Sequence, residues 1–476
     1  MGGYQQLNGF KANKTQSFGL WKKEIVLIAN VLPAILSFFL NLLAIMQLGV
    51  AGFGKWMIWR SSCQLTANIN PGFSQSLILF LPKLSYSKIN KASVIKTSYW
   101  SSLGWAVMSG LLFSMIAYLG FNVKGVELIV LIIYWEGIAF VGFTGNLARG
   151  LEDGKGLLIG AAGNALGSVF CLAILIASPN WSYFVLANAL ALWLQGLGQY
   201  IFNVEARRSF QIPFSKYRVR LRRSVRVGFP LVIRGWTQTA AQYGDRIVIG
   251  FFFGAAATGA AGIGSTLALP LVMASSSLMS WALPLLISKK ISLELIPRYL
   301  KTLMIIGIAG IIILPILKPI LFKPSMESLD TLKLAAMGYY ITALIGISNL
   351  LLLPLMVNRR VWQVAFLQLI LILCFWGGII MGYLIGDSLF LGLVINSYFL
   401  TYILLFFYKK QNKISNSKAF LGVLLPLLIS TYCKNIEYFC SISYIPWLMA
   451  SVGLILVCKA AWLFLFERGS AWSTQR

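Results

Sequence analysis

The sequence has no histidine, only 13 acidic residues among 476, and six cysteines. The missing histidine excludes histidine-based catalysis and His-ligated metals. The cysteines, at 63, 171, 374, 433, 440 and 458, lack zinc-type spacing; Cys433 and Cys440 read as free thiols, with pairing open to them if their loop faces an oxidising compartment. Charge of either sign is scarce: charged residues make up 11% of the chain against 58% hydrophobic. So apolar a chain cannot be the surface of a soluble globule and takes lipid as its solvent. The charge present is one-sided, with 40 Lys and Arg giving a formal net charge of +27. A nucleic-acid binder would gather these residues into a stripe or tail. Here they fall in short clusters between apolar runs, as cytoplasmic loops of membrane proteins do.

Spanning the hydrocarbon core takes about 20 apolar residues. Runs of that length occur near 25–49, 53–82, 98–121, 126–148, 155–177 and 182–203. Six more lie near 228–252, 258–287, 302–322, 333–357, 363–386 and 388–408, and two weaker ones near 419–433 and 445–466. The expected fold class is therefore an all-α polytopic membrane protein of about 14 transmembrane helices. Two six-helix lobes, residues 1–203 and 228–408, enclose a central cavity. A basic cytoplasmic linker, 204–227, joins them, and a helix pair and tail, 409–476, close the chain. The first run follows a polar lead and is long enough to span, so it reads as a retained helix and not a cleaved signal. An even helix number places both termini in the cytoplasm, and 30 of the 40 basic residues then fall on inner segments or termini. Gly49 to Gly54 after the first run and Gly254 to Gly259 after the seventh form a faint echo of a repeat about an axis along the membrane normal.

An ionisable group near the bilayer centre costs about 2.5 to 3.5 kcal/mol, so each one requires a reason. Arg60, Glu136, Arg234 and Asp245 are the four that stand out. Lys459 sits near a helix end and is expected to snorkel. At roughly 100° per residue, Arg234, Gln238, Ala241 and Asp245 share one stripe of the seventh helix. Arg60, Gln64, Ala67 and Pro71 have the same spacing on the second helix, with Asn68 and Gln75 at the border. Lipid cannot satisfy such faces, so they look into the protein or a water-filled cavity. Two readings stay open: the arginines pair with Asp245 or Glu136 and lock helices together, or they line a cationic cavity. Glu136 is either a neutral, hydrogen-bonded carboxyl or an ion-coupling site, a role Asp245 also suits. Arg246, near the outer end of its helix, either reaches interfacial water and headgroups or joins the binding set. A cationic cavity favours an anionic substrate, and the guanidinium fork suits phosphate oxygens.

Two segments carry a family resemblance. "LGVAGFGKW" (48–56) with "PGFSQSLILFLPKL" (71–84) resembles the junction of the first two helices of polysaccharide transporters in the multidrug, oligosaccharidyl-lipid and polysaccharide exporter superfamily. "GFPLVIRGWTQTAAQYGDRIVIGFFFG" (228–254), followed by "TGAAGIGSTLALPL" (258–271), is similar to the seventh and eighth helices of that family, including its Asp-Arg pair, here Asp245 and Arg246. The departure is "AIMQLG" (44–49), which has no Arg before Leu48 where many relatives carry one. The resemblance implies a flippase of the bacterial inner membrane that moves undecaprenyl-pyrophosphate-linked oligosaccharides, the O-antigen or capsule repeat units of lipopolysaccharide and related polymers, by alternating access. The expected partners are the lipid-linked anionic oligosaccharide, membrane lipids and polysaccharide polymerase machinery. Substrate-binding candidates are Arg60, Gln64, Arg234, Gln238 and Arg246, the coupling candidates are Asp245 and Glu136, and no cofactor or catalytic residue is expected. Trp236, Tyr243 and Asn68 are sugar-contact candidates. The alternatives are a cation-coupled exporter, which calls for an acidic cavity, and a membrane glycosyltransferase or polymerase, which calls for carboxylates in a sizeable outer loop.

Overall fold

In the computed structural model the described residues are 23–67, 70–81, 88–121, 123–151, 153–201, 203, 217–287, 295–314, 329–351, 361–386 and 388–399. They form an all-helical, multi-pass membrane architecture. In chain order the helices are α1 Lys23–Ala67, α2 Gln75–Phe80, α3 Lys88–Phe121, α4 Val126–Gly150, α5 Gly154–Ala177, α6 Trp181–Ile201, α7 Tyr217–Ile287, α8 Leu295–Ile313, α9 Leu329–Leu351, α10 Val361–Gly386 and α11 Leu389–Phe399. Among the described residues, seven helical segments are long and apolar enough to cross a membrane. The expected helices near 419–433 and 445–466 lie outside the described residues. Large apolar side chains such as Leu119, Phe251 and Leu384 are exposed, as lipid-facing surfaces require.

Two of the helices turn back on themselves at glycine. α1 is interrupted at Gly49 (φ 70°, ψ 173°) and α7 at Gly254 (φ 82°, ψ 178°). Only glycine takes a positive φ with extended ψ at little cost, so both turns depend on it. Each half then acts as its own crossing, which gives the expected first and second and seventh and eighth helices. The seventh begins earlier than expected: α7 starts at Tyr217, so the end of the basic segment forms its first turns. Arg and Lys are good helix formers, and a polar composition does not end a helix.

The second helix is discontinuous. A single run over 53–82 was expected, yet α1 ends at Ala67 and α2 starts at Gln75. Pro71 has no N–H to donate to a preceding turn, and Gly72 has φ 96°. Asn70 completes the break by accepting a hydrogen bond from the Gly72 N–H at 2.8 Å. This is irregular backbone buried within protein, the one setting in which membranes tolerate it.

Within the first lobe, α5 and α6 touch through small residues. A side chain on Gly163 would meet the Leu194 carbonyl at 2.6 Å, and Gly167 lies against Ala191. Asp153 caps α5 by accepting from the Gly156 N–H at 2.9 Å, while its other oxygen accepts from Asn203 Nδ2 at 3.2 Å. Asp153→Ala is expected to remove about 1 kcal/mol of stability, whereas Asp153→Asn keeps the cap. Thermal unfolding of the detergent-purified variants checks this: only the alanine lowers the midpoint.

The two lobes meet backbone to backbone. A Cβ on Gly54 would run into the Ala255 carbonyl, and one on Gly259 into the Val50 carbonyl. One spacing, 205 residues, separates Gly49 from Gly254, Val50 from Ala255 and Gly54 from Gly259. The contacts are therefore reciprocal, as a two-fold relation between like-oriented repeats demands. At the opposite end of the bundle, where Lys91, Lys96, Arg149, Lys155, Arg222 and Arg226 gather, Gly72 of the helix break abuts Gly228 of α7.

Candidate functional site

Between these two contacts a group of polar and aromatic side chains from both lobes comes together. From the second half of α1, Arg60 sets its guanidinium carbon 5.8 Å from the Trp56 ring centroid. Trp56 is fully buried and packs edge-on against Tyr134 of α4 and Phe184 of α6, each at 5.2 Å. Gln64, one turn beyond Arg60, hydrogen-bonds Tyr134. From α7, Arg246 lies 5.1 Å from the Tyr243 ring. Arg246 is within electrostatic reach of Arg60, and Tyr134 of both Arg60 and Tyr243, which ties the α7 residues to the first lobe.

The hydrogen-bonding inventory of this cluster is incomplete. Trp56 Nε1, Arg60 Nε, Arg246 Nε and Asp245 Oδ1 are all buried with no hydrogen-bond partner. Three of the four are donors. Two guanidinium groups near each other in a poorly hydrated interior repel, and a buried polar atom without a partner costs about 1 to 3 kcal/mol. Trp56 and Tyr243 lie within cation–π range of the two groups. An anion between the two guanidinium groups would offset their repulsion.

Several expectations change here. Arg246 is only 5% exposed, so its head does not reach interfacial water; Tyr243 and Gly250 put this side of α7 against the first lobe, where Tyr243 is within reach of Tyr134 and Gly250 meets Ile58. The stripe through Gln238, Ala241 and Asp245 points elsewhere, at roughly 180° from Tyr243 around the helix. Asp245, 7% exposed, interacts electrostatically with its neighbour Arg246. The backbone of Arg234 belongs to α7, but its side chain and the whole of Asn68 lie outside the described residues. Glu136 is exposed on α4 and stands about 200° around that helix from Tyr134. The arginine cluster and Glu136 are thus on opposite sides of α4.

Neutral polar residues that the charge pattern did not single out knit the first lobe together. Thr144 donates to Gln199 Oε1 at 2.8 Å, Asn164 Nδ2 to Gln195 Oε1 at 3.0 Å, and Trp135 Nε1 to Thr66 at 2.9 Å. In the second lobe Thr237 donates to Gln368 at 3.0 Å, which fixes α10 against α7 near the site. Such amides and hydroxyls satisfy one another and glue helices where lipid offers no partner. Among the described residues no group of three or more His, Cys, Asp or Glu is placed to hold a metal ion.

Residues 20–289 match the family described as polysaccharide biosynthesis protein. Comparison with curated proteins finds no match. Among solved structures the chain is similar to a lipid II flippase, MurJ, in an inward closed conformation, with 13% identity, a TM-score of 0.60, and 93% of this chain and 99% of that one covered. It is also similar to an inward-facing multidrug resistance transporter of the MATE family and MOP superfamily, with 15% identity, a TM-score of 0.52, and coverage of 88% and 98%. These likenesses establish a shared fold.

Proposed function

Because the chain belongs to the polysaccharide biosynthesis protein family, we propose that it is a flippase, carrying an undecaprenyl-diphosphate-linked oligosaccharide across the bacterial cytoplasmic membrane by alternating access between its two lobes. The observation that carries this reading is the meeting of Arg60 and Arg246, one from each lobe, with their Nε atoms buried and unpartnered. A diphosphate supplies acceptors for both edges at once, and its charge cancels the repulsion between them. Gln64 completes this group, while Gln238 and Arg234 on α7 are assigned to the path of the head group. Asp245, on the second-lobe side, is assigned to ion coupling. Glu136, on the far side of α4 from the arginine cluster, is the second residue assigned to ion coupling.

Flipping breaks no covalent bond, so the protein acts without catalytic residues or cofactor. The end rich in Lys and Arg faces the cytoplasm, which puts both termini there. The glycine turns at 49 and 254 then face outward. A polymerase that consumes the flipped unit is the natural downstream partner.

The test is transport in liposomes. Purified protein reconstituted with a labelled undecaprenyl-diphosphate oligosaccharide should bring the label to the opposite leaflet at a rate far above protein-free vesicles. The same sugar on an uncharged lipid should not move. Equal movement of both lipids, or of neither, rejects the reading, and movement of cationic drugs alone favours an exporter.

A further inference from the structure

The cationic cluster lies between two sets of glycine-to-backbone contacts, and we propose that these contacts are the two gates of the transport cycle. The inference rests on alternating access but not on the identity of the substrate. At 1.5 Å per residue Arg60 lies about 9 Å along its helix from the Gly54 contact, and Arg246 about 12 Å from the turn at Gly254. In the other direction Gly72 and Gly228 meet beyond both arginines. The two sets of contacts therefore bracket the cluster.

The contacts at each gate have a distinct physical character. At the turn end, Gly54 lies on the Ala255 carbonyl and Gly259 on the Val50 carbonyl, with Gly262 against Met57 and Phe53 between them. At the basic end, Gly72 and Gly228 lie on each other's backbone. Among the described residues the closest approaches at both gates are to main chain, and at the turn end the Met57 and Phe53 side chains pack beside them. Backbones this close gain dispersion and weak Cα–H···O attraction, about 0.5–1 kcal/mol per contact. Contacts of that strength close firmly enough to exclude water yet separate on the timescale of domain motion. A single methyl group removes the approach altogether, because the atom it meets is main chain and cannot rotate away.

Each gate therefore requires glycine at its closest approach. Gly54→Ala with Gly259→Ala should leave the turn end unable to close, and Gly72→Ala with Gly228→Ala the basic end. Each double variant should rest open on its own side.

The experiment uses the full chain with its cysteines replaced and a single reporter, Gln64→Cys, beside the cluster. A membrane-impermeant maleimide is applied to the outer face of spheroplasts and, separately, to inside-out vesicles. Expected are at least a tenfold rise in labelling from the turn side for the first double variant and from the basic side for the second. Labelling unchanged from the parent, or raised from the same side in both, overturns the proposal. If a glycine variant does not accumulate, Val50→Cys with Ala255→Cys decides: oxidation should abolish labelling of the reporter at position 64 from the turn side, read on its own peptide by mass spectrometry, and reductant should restore it. Labelling that ignores this cross-link also overturns it. Because the readout needs no substrate, gating that behaves as expected alongside failed liposome transport would reject the flippase reading and keep the gates.

Discussion

Replacing Arg60 or Arg246 with alanine is expected to reduce transport of the lipid-linked oligosaccharide by roughly 10- to 150-fold each, per molecule of folded protein in the membrane. The magnitude follows from hydrogen bonds to a charged partner, worth about 1.5–3 kcal/mol apiece, at 1.4 kcal/mol per factor of ten. For Arg60→Ala folding should not suffer, because the alanine removes a buried charge with an unpartnered Nε and relieves its repulsion with Arg246. Arg246→Ala also takes a cation from buried Asp245, so its folded yield is compared with that of Arg246→Ala combined with Asp245→Asn. Arg→Lys separates charge from geometry: an ammonium keeps the charge but cannot present two parallel N–H groups, so a lysine variant that recovers little argues for bidentate phosphate recognition. Accumulation in surface-polysaccharide assays, set against protein level by blotting, reads out both effects. Wild-type transport in both alanine variants would remove the cluster from the mechanism.

Gly264→Val is expected to abolish the folded protein. Gly264 of α7 faces the Ala335 carbonyl of α9, with the Tyr339 N–H 2.6 Å from where its Cβ would stand, and Gly338 of α9 abuts the Ala261 carbonyl in return. These neighbours are main chain, so no rotamer change makes room, and α9 would have to move away over its whole length. Among packing defects this belongs with those beyond about 4 kcal/mol, a large share of the 5–15 kcal/mol that holds a typical protein together. Thr342 donating to Ser265 at 2.9 Å and Ser275 to the Gly346 carbonyl at 2.6 Å would be lost with the packing. Gly377→Val is the control: nothing lies within 4 Å of a Cβ at that site, so the variant should insert and purify normally. Size-exclusion profiles of detergent extracts distinguish the two, and a monodisperse Gly264→Val peak at wild-type yield would contradict the packing account.

The helices near the first lobe were legible because apolar length alone defines a membrane crossing: α4, α5 and α6 lie within two residues of the runs near 126–148, 155–177 and 182–203. The break at 68–74 was hidden by the same rule. Apolar residues continue on both sides of Asn70, Pro71 and Gly72, so the window reads through, whereas the backbone obeys Pro71's missing donor and the positive φ of Gly72. Arg60 was visible as a charge that needed a reason. Its neighbours Trp56 and Tyr134 were not, because a membrane helix rich in aromatics offers no sequence signal for which ring lies beside a guanidinium. The stripe rule drew attention to Gln238 and Asp245, whereas the contacts across to the first lobe are made by Tyr243 and Arg246. The glycine echo at 49–54 and 254–259 carried more information than its composition suggested, because its reciprocity exists only once the two turns touch.

The most direct measurement of the central claim is equilibrium binding of sugar-free undecaprenyl diphosphate to the protein in nanodiscs. The parent should bind saturably, the Arg60→Ala and Arg246→Ala double variant should lose at least a hundredfold in affinity, and an undecaprenyl alcohol should not compete. Equal affinity of parent and double variant for the diphosphate would contradict the account, because the two lobes would then hold no anion between them.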